Sequence, residues 1–173
     1  WISLSTGQQK QQAKKLLEAI QFQVISLQEE FDATYSGILR ELYKKGIFLI
    51  NERQLEPHQL EFVQRFFNDK VLPELEPILL RDDQPIPLLA DESLYLAVDL
   101  ETSQGLQYAL LEVPTAALGR FIEVPKRGKK HSRVFIALDN IIRACLPQVF
   151  RGVFEINASA AYCFKFSRDA ELE

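Results

Sequence analysis

Apolar residues recur along the first part of the chain with the spacing of an amphipathic helix. From Gln8 to Lys45, aliphatic and aromatic side chains stand at positions 13, 17, 20, 24, 27, 31, 35, 38 and 42. Steps of three and four residues place them in one stripe, like the seam of a coiled coil with a single stutter. Gly46 follows where a helix C-cap glycine is favoured, so the pattern predicts one long helix that ends there.

Such a stripe cannot be buried by the helix that carries it. One interpretation is that partner helices cover it and that this sequence holds only part of a helical bundle, in which case the isolated chain is expected to self-associate. The other interpretation is that the helix lies across its own domain. The sequence leaves both open.

The pattern becomes mixed after Gly46. The run IFLIN, 47–51, is too short for a helix and suits a buried strand or a turn. A second helix is predicted from Pro57, a favourable first helical position, to the residues before Pro73. The proline-rich stretch 72–89 is typical of an ordered, extended connector.

Alternation with a period of two dominates the second half and predicts strands. The runs SLYLAVDLE, 93–101, and LQYALLEVP, 106–114, form a hairpin around TSQG, where Gly105 can adopt a positive φ. The runs GRFIEVP, 119–125, and RVFIALD, 133–139, repeat the pattern. Four successive strands are therefore expected in one meander or hairpin sheet.

The last segments add a helix and a strand. A helix is predicted at LDNIIRACLPQVF, 138–150, and a strand at AYCFKF, 161–166, after which SRDAELE, 167–173, predicts the start of another helix. In the strand one face carries Tyr162, Phe164 and Phe166, and the other carries Cys163, Lys165 and Ser167. Because helices and strands are segregated along the chain, the predicted fold class is α+β, with a long N-terminal amphipathic helix and a mostly antiparallel sheet with packed helices.

Composition narrows the function classes. The chain has 173 residues, a net charge of −4 and a pI near 5.3, which argues against a nucleic-acid-binding protein because such domains are usually basic. Its two cysteines do not make a disulfide framework or a zinc site, and the sequence contains neither a signal peptide nor a membrane-spanning run. We therefore expect a cytoplasmic protein. The first residue is Trp1 and methionine is absent, which suggests a fragment.

Isolated polar residues offer no convincing catalytic or metal site, and no glycine-rich phosphate loop is present. The residues considered are His58, His131, Asp82, Asp83, Cys145 and Cys163. The two histidines lack metal-ligand spacing, and His58 is expected on the surface of a helix. The paired aspartates suit a solvated turn, and the two cysteines suit buried structural thiols. No catalytic, cofactor-binding or metal-binding residue is predicted.

One loop stands out by its charge in an otherwise acidic chain. The stretch KRGKKHSR, 126–133, contains the cations Lys126, Arg127, Lys129, Lys130 and Arg133. Such a loop could bind a polyanion by counterion release. The alternative is a solvated hairpin loop whose charges discourage pairing between sheet edges.

Several separated strings resemble bacterial polyphosphate kinase of the long-chain type, which transfers the terminal phosphate of ATP to inorganic polyphosphate. They are FLINERQL (48–55), LYLAV (94–98), YALLEVP (108–114), LDNIIR (138–143) and SRDAELE (167–173), in the family's order and at about its spacing. The similarity runs from the long helix to the end of the chain.

The resemblance implies that residues 1–53 end an N-terminal helical domain and that residues 54–173 form most of a head domain, truncated before the catalytic domains. This stretch would serve dimer assembly and frame the active site, and it would be non-catalytic alone. ATP and magnesium are implied for the parent enzyme only, because its catalytic histidine and metal-binding groups lie beyond the matched stretch. The implied partners are the rest of the same polypeptide, a second copy in a homodimer or higher oligomer, and inorganic polyphosphate. The implied location is cytoplasmic, or peripheral to the inner membrane.

Two hypotheses from different classes remain at this point. The first is a head-domain fragment of a polyphosphate kinase. The second is a freestanding adaptor or polyanion-binding module of the same fold. A gene that continues past Glu173 into a histidine-containing domain would favour the first, and a stop codon there would favour the second.

Overall fold

The computed structural model describes residues 6–81, 83–85, 87–126 and 132–167. The chain divides into two compact units, Trp1–Gly46 and Ile47–Glu173. This division lies ahead of the domain boundary predicted after residue 53, because the strand that follows Gly46 pairs within the second unit.

Among its described residues, the first unit contains one helix, α1, Thr6–Lys44. Gly46 ends it with a φ of 76°, and its backbone N–H donates to the Tyr43 carbonyl oxygen at 2.9 Å, which confirms the predicted cap. The predicted apolar stripe is solvent-accessible in this unit, with exposed fractions of 56% for Leu17 and 67% for Phe31. The helix therefore presents a continuous apolar surface that burial would stabilise.

The second unit contains four further α-helices among its described residues. They are α2 (Pro57–Phe66), α3 (Thr115–Leu118), α4 (Leu138–Ala144) and α5 (Leu146–Val149). Short turns of other helix types flank them: 3₁₀ turns at Glu52–Gln54 and Leu72–Glu74, and a π turn at Phe67–Val71.

The helix positions confirm the second predicted helix and correct the third. Pro57 occupies the first turn of α2 as expected. The single helix predicted over 138–150 is interrupted at Cys145, which leaves helical geometry with φ −116° and ψ 12°. Pro147 explains the break, since its ring cannot be accommodated in a continuing helix and it has no N–H to donate.

Strands of the second unit form two sheets. They are β1 (Ile47–Ile50), β2 (Ile78–Leu80), β3 (Leu94–Thr102), β4 (Gly105–Glu112), β5 (Phe121–Val124), β6 (Arg133–Ala137) and β7 (Ile156–Lys165). The four-stranded sheet has the order β2-β4-β3-β7 and is antiparallel throughout. The three-stranded sheet has the order β1-β6-β5, in which β1 is parallel to β6. The mostly antiparallel α+β class is thus confirmed.

Two predictions about the strands are wrong. The four strands expected in one meander belong to two sheets, because α3 and Gly119, with a φ of 81°, redirect the chain between β4 and β5. The stretch 72–89 is not simply an extended connector, because Ile78–Leu80 pairs with β4 as an edge strand. Both hairpins themselves form as expected, and Gly105 has the positive φ of 107° that its turn needs.

The core lies between the inner face of the four-stranded sheet, the three-stranded sheet and the helices α2 and α4. Its members are Val63, Phe67, Val71, Leu75, Leu96, Val98, Leu100, Ala109, Leu111, Val113, Val124, Ile136, Leu138, Ile141, Ile142, Cys145, Leu146 and Phe150. This continuous cluster joins residues from both sheets, so the two sheets share one main core. The helix predicted after Ser167 falls on residues outside the described part of the chain.

Candidate functional site

The predicted basic loop joins β5 to β6. Lys126 and Arg133 stand at its two ends, whereas Arg127, Lys129 and Lys130 lie outside the described residues. The Lys126 Nζ donates to the Ser132 Oγ at 2.9 Å, which links the two ends of the loop. The positive charge of this segment therefore begins and ends on an ordered hairpin.

Arg133 is already paired on the sheet. Its Nε and Nη2 donate to the two carboxylate oxygens of Glu123 at 3.1 and 2.7 Å, and its guanidinium lies 4.8 Å from the centre of the Phe135 ring. The hydrogen bond from Arg133 lowers the pKa of Glu123, and the same bond raises the pKa of Arg133. A bidentate ion pair and an aromatic ring already hold this guanidinium. Arg133 is therefore less available to bind an added anion than its formal charge suggests.

The base of the loop is also anchored to α2. Gln59, which is 5% exposed, donates from Nε2 to the carbonyl oxygen of Pro125 at 3.1 Å. Its neighbour His58 was expected on the surface, and this is wrong, since its side chain is only 16% exposed. The His58 Nδ1 lies 3.3 Å from a Glu56 carboxylate oxygen. The histidine is thus packed at the start of α2, and His131 lies outside the described residues.

A charge cluster that the sequence did not predict ties α4 to its neighbours. The Asp139 side chain is 8% exposed, and its Oδ2 accepts a hydrogen bond of 2.7 Å from Arg143 Nη1. The Arg120 Nη1 lies 2.9 Å from the other carboxylate oxygen, an ion contact that lacks hydrogen-bond geometry. Two guanidinium groups therefore share one buried carboxylate, and the cluster has a net positive charge.

Arg143 extends this cluster to the edge of the four-stranded sheet. Its Nε donates to the Ala161 carbonyl oxygen of β7 at 3.1 Å, and its Nη1 also donates to Asn140 Oδ1 at 2.7 Å. An edge strand carries unpaired backbone groups, and Arg143 satisfies one of them. We call Arg120, Asp139 and Arg143 the arginine clamp. The i,i+4 spacing of Asp139 and Arg143 in LDNIIR was the available sequence signal.

A polar surface groove of 730 Å³ runs beside the clamp. It is lined by the turn Asn51–Arg53, by Asn140 and Arg143, by Leu146 and by residues 159–163 of β7. Amide, guanidinium, hydroxyl and thiol groups line it, so its chemistry suits hydrogen bonding to a polar surface or ligand.

The two cysteines differ, and the prediction that both are buried is wrong for one of them. Cys145 is buried in the core, and burial raises the pKa of its thiol to about 11. Cys163 is exposed because β7 is an edge strand and this position opens into the groove. Partial burial still raises the pKa of Cys163, with Asp139 adding to the effect. Arg120 and Arg143 act in the opposite direction on Cys163 but do not offset burial, so neither thiol has the lowered pKa that is typical of a nucleophile.

Other kinds of site are not found in the described part of the chain. Within 6–81, 83–85, 87–126 and 132–167, histidine, cysteine and carboxylate side chains form no group of three or more that could hold a metal ion. Over the same ranges, the helices include none with the length and apolar character needed to cross a bilayer. Asp83 lies exposed in a turn, as predicted, and Asp82 lies outside the described residues.

Comparison with known proteins identifies the family. Residues 58–173 match the family model described as the polyphosphate kinase middle domain. This chain belongs to the polyphosphate kinase family. It is 40% identical over 162 residues to the polyphosphate kinase of Vibrio parahaemolyticus and 37% identical over 162 residues to that of Escherichia coli K12. Each match covers 93% of this chain, but 23% and 24% of the respective relative.

A solved polyphosphate kinase has the same fold. The crystal structure of polyphosphate kinase from Porphyromonas gingivalis matches with a TM-score of 0.77 and 34% identity, covering 96% of this chain and 26% of that one. The predicted resemblance and fold class are therefore confirmed. The chain spans about a quarter of the length of the curated relatives that it matches.

Two of the strings that resemble polyphosphate kinase, FLINERQL and LDNIIR, meet at one groove. FLINERQL, 48–55, forms β1 and the following 3₁₀ turn, and LDNIIR, 138–143, forms α4. LYLAV, 94–98, lies on β3, which pairs with β7. The groove beside the arginine clamp is where the first two strings meet β7. SRDAELE begins at the described Ser167 and otherwise lies outside the described residues.

Proposed function

We propose that this chain is the middle domain, with the preceding helix, of a polyphosphate kinase. The longer polypeptide would transfer the terminal phosphate of ATP to inorganic polyphosphate with magnesium. The chain itself would be a non-catalytic part that frames the active site and supports assembly. The observation that carries the proposal is the match of residues 58–173 to the polyphosphate kinase middle domain, together with the like fold of the Porphyromonas gingivalis enzyme.

The assembly part of this proposal rests on α1. Leu17, Phe31 and Ile38 are 56, 67 and 53% exposed on one helix. Exposed apolar stripes of this kind mark surfaces that associate, since their burial stabilises by about 25 cal/mol per Å². We expect a homodimer or higher oligomer. Light scattering of the isolated chain at rising concentration tests this, and a strictly monomeric, folded chain would contradict it.

The substrate part of the proposal concerns the basic loop. Lys126, Arg127, Lys129, Lys130 and Arg133 would contact polyphosphate, a ligand with about one negative charge per phosphate. The support is the charge of the loop in an acidic chain and the ordered hairpin on which it begins and ends. Lys126 and the loop lysines would supply most of the attraction, since Glu123 already neutralises Arg133.

A salt-dependent titration tests the loop. Long-chain polyphosphate is added to the chain at low and at moderate salt, and the affinity is expected to fall steeply as salt rises. The double variant Lys129→Glu, Lys130→Glu should abolish binding. Lys14→Glu, Lys15→Glu, another adjacent lysine pair on α1, is the matched control and should retain it. Equal loss in both double variants, or no loss in either, would place the anion elsewhere.

Catalytic inactivity of the isolated chain is the second test. The chain incubated with γ-labelled ATP and magnesium should form neither polyphosphate nor a stable phosphoenzyme, because its described histidine, His58, is packed and 16% exposed. Acid-labile label on His58 or His131 would overturn this expectation.

A freestanding adaptor or polyanion-binding module is the other candidate. The basic loop alone favours it, since a polyanion could be bound without any kinase domain. Both candidates predict the same titration result, and they are separated by whether the gene continues into further domains and whether its complete product makes polyphosphate. A cytoplasmic location is part of either proposal, on the basis of the composition and the two unpaired cysteines.

A further inference from the structure

The outer face of the four-stranded sheet is apolar where a solvent-facing sheet is usually polar. Directly opposed residues of an antiparallel pair lie on the same face. The strand registers therefore place the following described residues on the outer face: Ile78, Leu80, Tyr95, Ala97, Asp99, Glu101, Leu106, Tyr108, Leu110, Glu112, Ala160, Tyr162 and Phe164. An antiparallel sheet with one wet face alternates apolar inward with polar outward positions, and most of these outward positions are apolar.

One end of this face is already covered. Leu89, from the segment before β3, packs with Tyr95 and Leu110 in a small cluster in which each side chain is less than a tenth exposed. Tyr95 accepts a hydrogen bond of 2.9 Å from the Ala90 backbone N–H, and its ring lies 5.7 Å from that of Phe164. The outer face thus carries the beginning of a second core.

The other end of the face is open and continues directly from this cluster. Leu106, Tyr108 and Tyr162 are 55, 47 and 62% exposed there. Ala97 lies between Leu110 and Tyr162 in the register, so the exposed tyrosine adjoins the covered cluster. A contiguous apolar patch that extends a core is a surface for another element.

The size and charge of the open patch indicate which kind of structural element covers it. From Ala97 to Glu101 the strand β3 advances about 14 Å, close to the 10–12 Å diameter of a helix with its side chains. Asp99 lies at the middle of this span, between Tyr108 and Ala160 in the register. No ion pair joins Asp99 to another residue in the part of the chain that the structure describes. A carboxylate that becomes covered needs a cationic partner.

The same face of a second copy does not meet this need. Such a contact would bring Asp99 and Glu101 against the same carboxylates of the partner, and the outward positions of the paired strands include no lysine or arginine. Arg81 lies at the rim of the patch, where it lines a pocket with Leu106 and Tyr108, but it follows the edge strand β2, two strands away from Asp99. Like charges at an interface are destabilising. A basic amphipathic helix matches the patch in width, in apolar character and in charge.

We propose that the outer face of the four-stranded sheet is a docking surface for an amphipathic helix that presents a lysine or arginine to Asp99. The helix comes from the remainder of the polyphosphate kinase polypeptide, of which relatives contain about three-quarters beyond the matched part. This inference rests on the proposed function, because it takes the helix from that longer polypeptide. With the docked helix in place, the four-stranded sheet has packed elements on both of its faces.

Hydroxyl-radical footprinting of the longer polypeptide and of the isolated chain tests the covering. Oxidation of Tyr108 and Tyr162 should be at least about tenfold slower in the longer polypeptide, because their rings become buried. Val153, 60% exposed in a turn after α5, serves as the reference for radical dose. Equal oxidation of the two tyrosines in both proteins would overturn the inference.

Substitution at matched positions tests the energetic role. Tyr162→Lys should lower the Tm of the longer polypeptide by at least about 3 °C and change that of the isolated chain by less than about 1 °C. Val153→Lys should leave both unchanged. Asp99→Lys should also lower the Tm of the longer polypeptide selectively, and Asp99→Glu should not. Equal shifts of Tm in the two proteins would show that nothing covers this face.

The outcomes separate this inference from the proposed function. Concentration-dependent protection of Tyr162 in the isolated chain would identify a second copy as the occupant and overturn the helix. A gene product that holds no further domains would overturn the proposed function itself. A longer polypeptide that makes polyphosphate while Tyr108 and Tyr162 stay oxidisable would leave the proposed function standing and overturn the docking surface alone.

Discussion

Replacing Asp139 by alanine should cost the second unit much of its stability. The substitution leaves the guanidinium of Arg143, 21% exposed, without its carboxylate at 2.7 Å. It also removes the partner of Arg120, which is 40% exposed. Breaking a buried pair by removing one partner costs about 3–5 kcal/mol. Arg143 is only partly buried, so we expect the low end of that range, about 3 kcal/mol, for the loss of its ion pair. The contact with Arg120 is more exposed to solvent and should add at most about 1 kcal/mol.

A cycle of substitutions isolates the clamp from the general effect of truncation. We compare Asp139→Ala, Arg143→Ala and the double variant, and expect a coupling of about 1.5–3 kcal/mol for residues that share one network. Asp69→Ala, at an exposed aspartate of the π turn, is the matched control and should cost less than about 0.5 kcal/mol.

Cys145 provides a probe that reports on the second unit alone. It is 1% exposed in the core, and pulse labelling of its thiol across a urea gradient measures unfolding of that unit. Cys163→Ser serves as the background because Cys163 is exposed. A loss below about 1 kcal/mol for Asp139→Ala, or additive single substitutions, would refute the view that Asp139 and Arg143 form one stabilising network.

Two further predictions concern groups with shifted pKa values. Cys163 should react with a maleimide in the native chain, and Cys145 only after unfolding. The rate of reaction at Cys163 should keep rising as pH passes 9.0, the ordinary pKa of a thiol, because the pKa of Cys163 is raised above that value. A Cys145 that reacts as fast as Cys163 would contradict this. The pair of Glu123 and Arg133 is exposed, so Glu123→Gln should change stability only slightly at neutral pH. The pKa of Glu123 is lowered in the folded chain, so the ion pair contributes its full stability above pH 4.5, the ordinary pKa of a glutamate, and loses it as pH falls through the lower folded pKa. Urea titrations above and below this range will measure the loss. A contribution of the pair that grows on acidification would contradict the prediction.

The structural elements whose signals lie within a few neighbouring residues were predicted correctly. The stripe of α1, its glycine cap, the hairpin around Gly105 and the apolar side of 138–150 all follow from spacing within a few residues. The pairing of Ile47 with Arg133 could not be predicted in this way, because it joins distant parts of the chain in parallel. The division into two sheets follows from that pairing and was missed with it.

Only the part of the candidate site whose charged residues are adjacent in the sequence could be predicted. The basic loop is a run in the sequence, but the neutralisation of Arg133 by Glu123 appears only once β5 and β6 are paired. In the arginine clamp, Asp139 contacts Arg143 of the same helix and Arg120, which lies just before β5. Helical periodicity could indicate the contact with Arg143 but not the contact with Arg120. The exposure of Cys163 likewise follows from β7 lying at a sheet edge, which no residue pattern in the strand encodes.

The most direct test of the central proposal is ATP-dependent polymer synthesis by the complete product of the gene that encodes this chain. With ATP and magnesium, the purified product should form an acid-insoluble polymer that exopolyphosphatase degrades, and the isolated chain at the same concentration should form none. A complete gene product that forms no such polymer, or an isolated chain that forms it, would contradict the assignment of this chain as a non-catalytic part of a polyphosphate kinase.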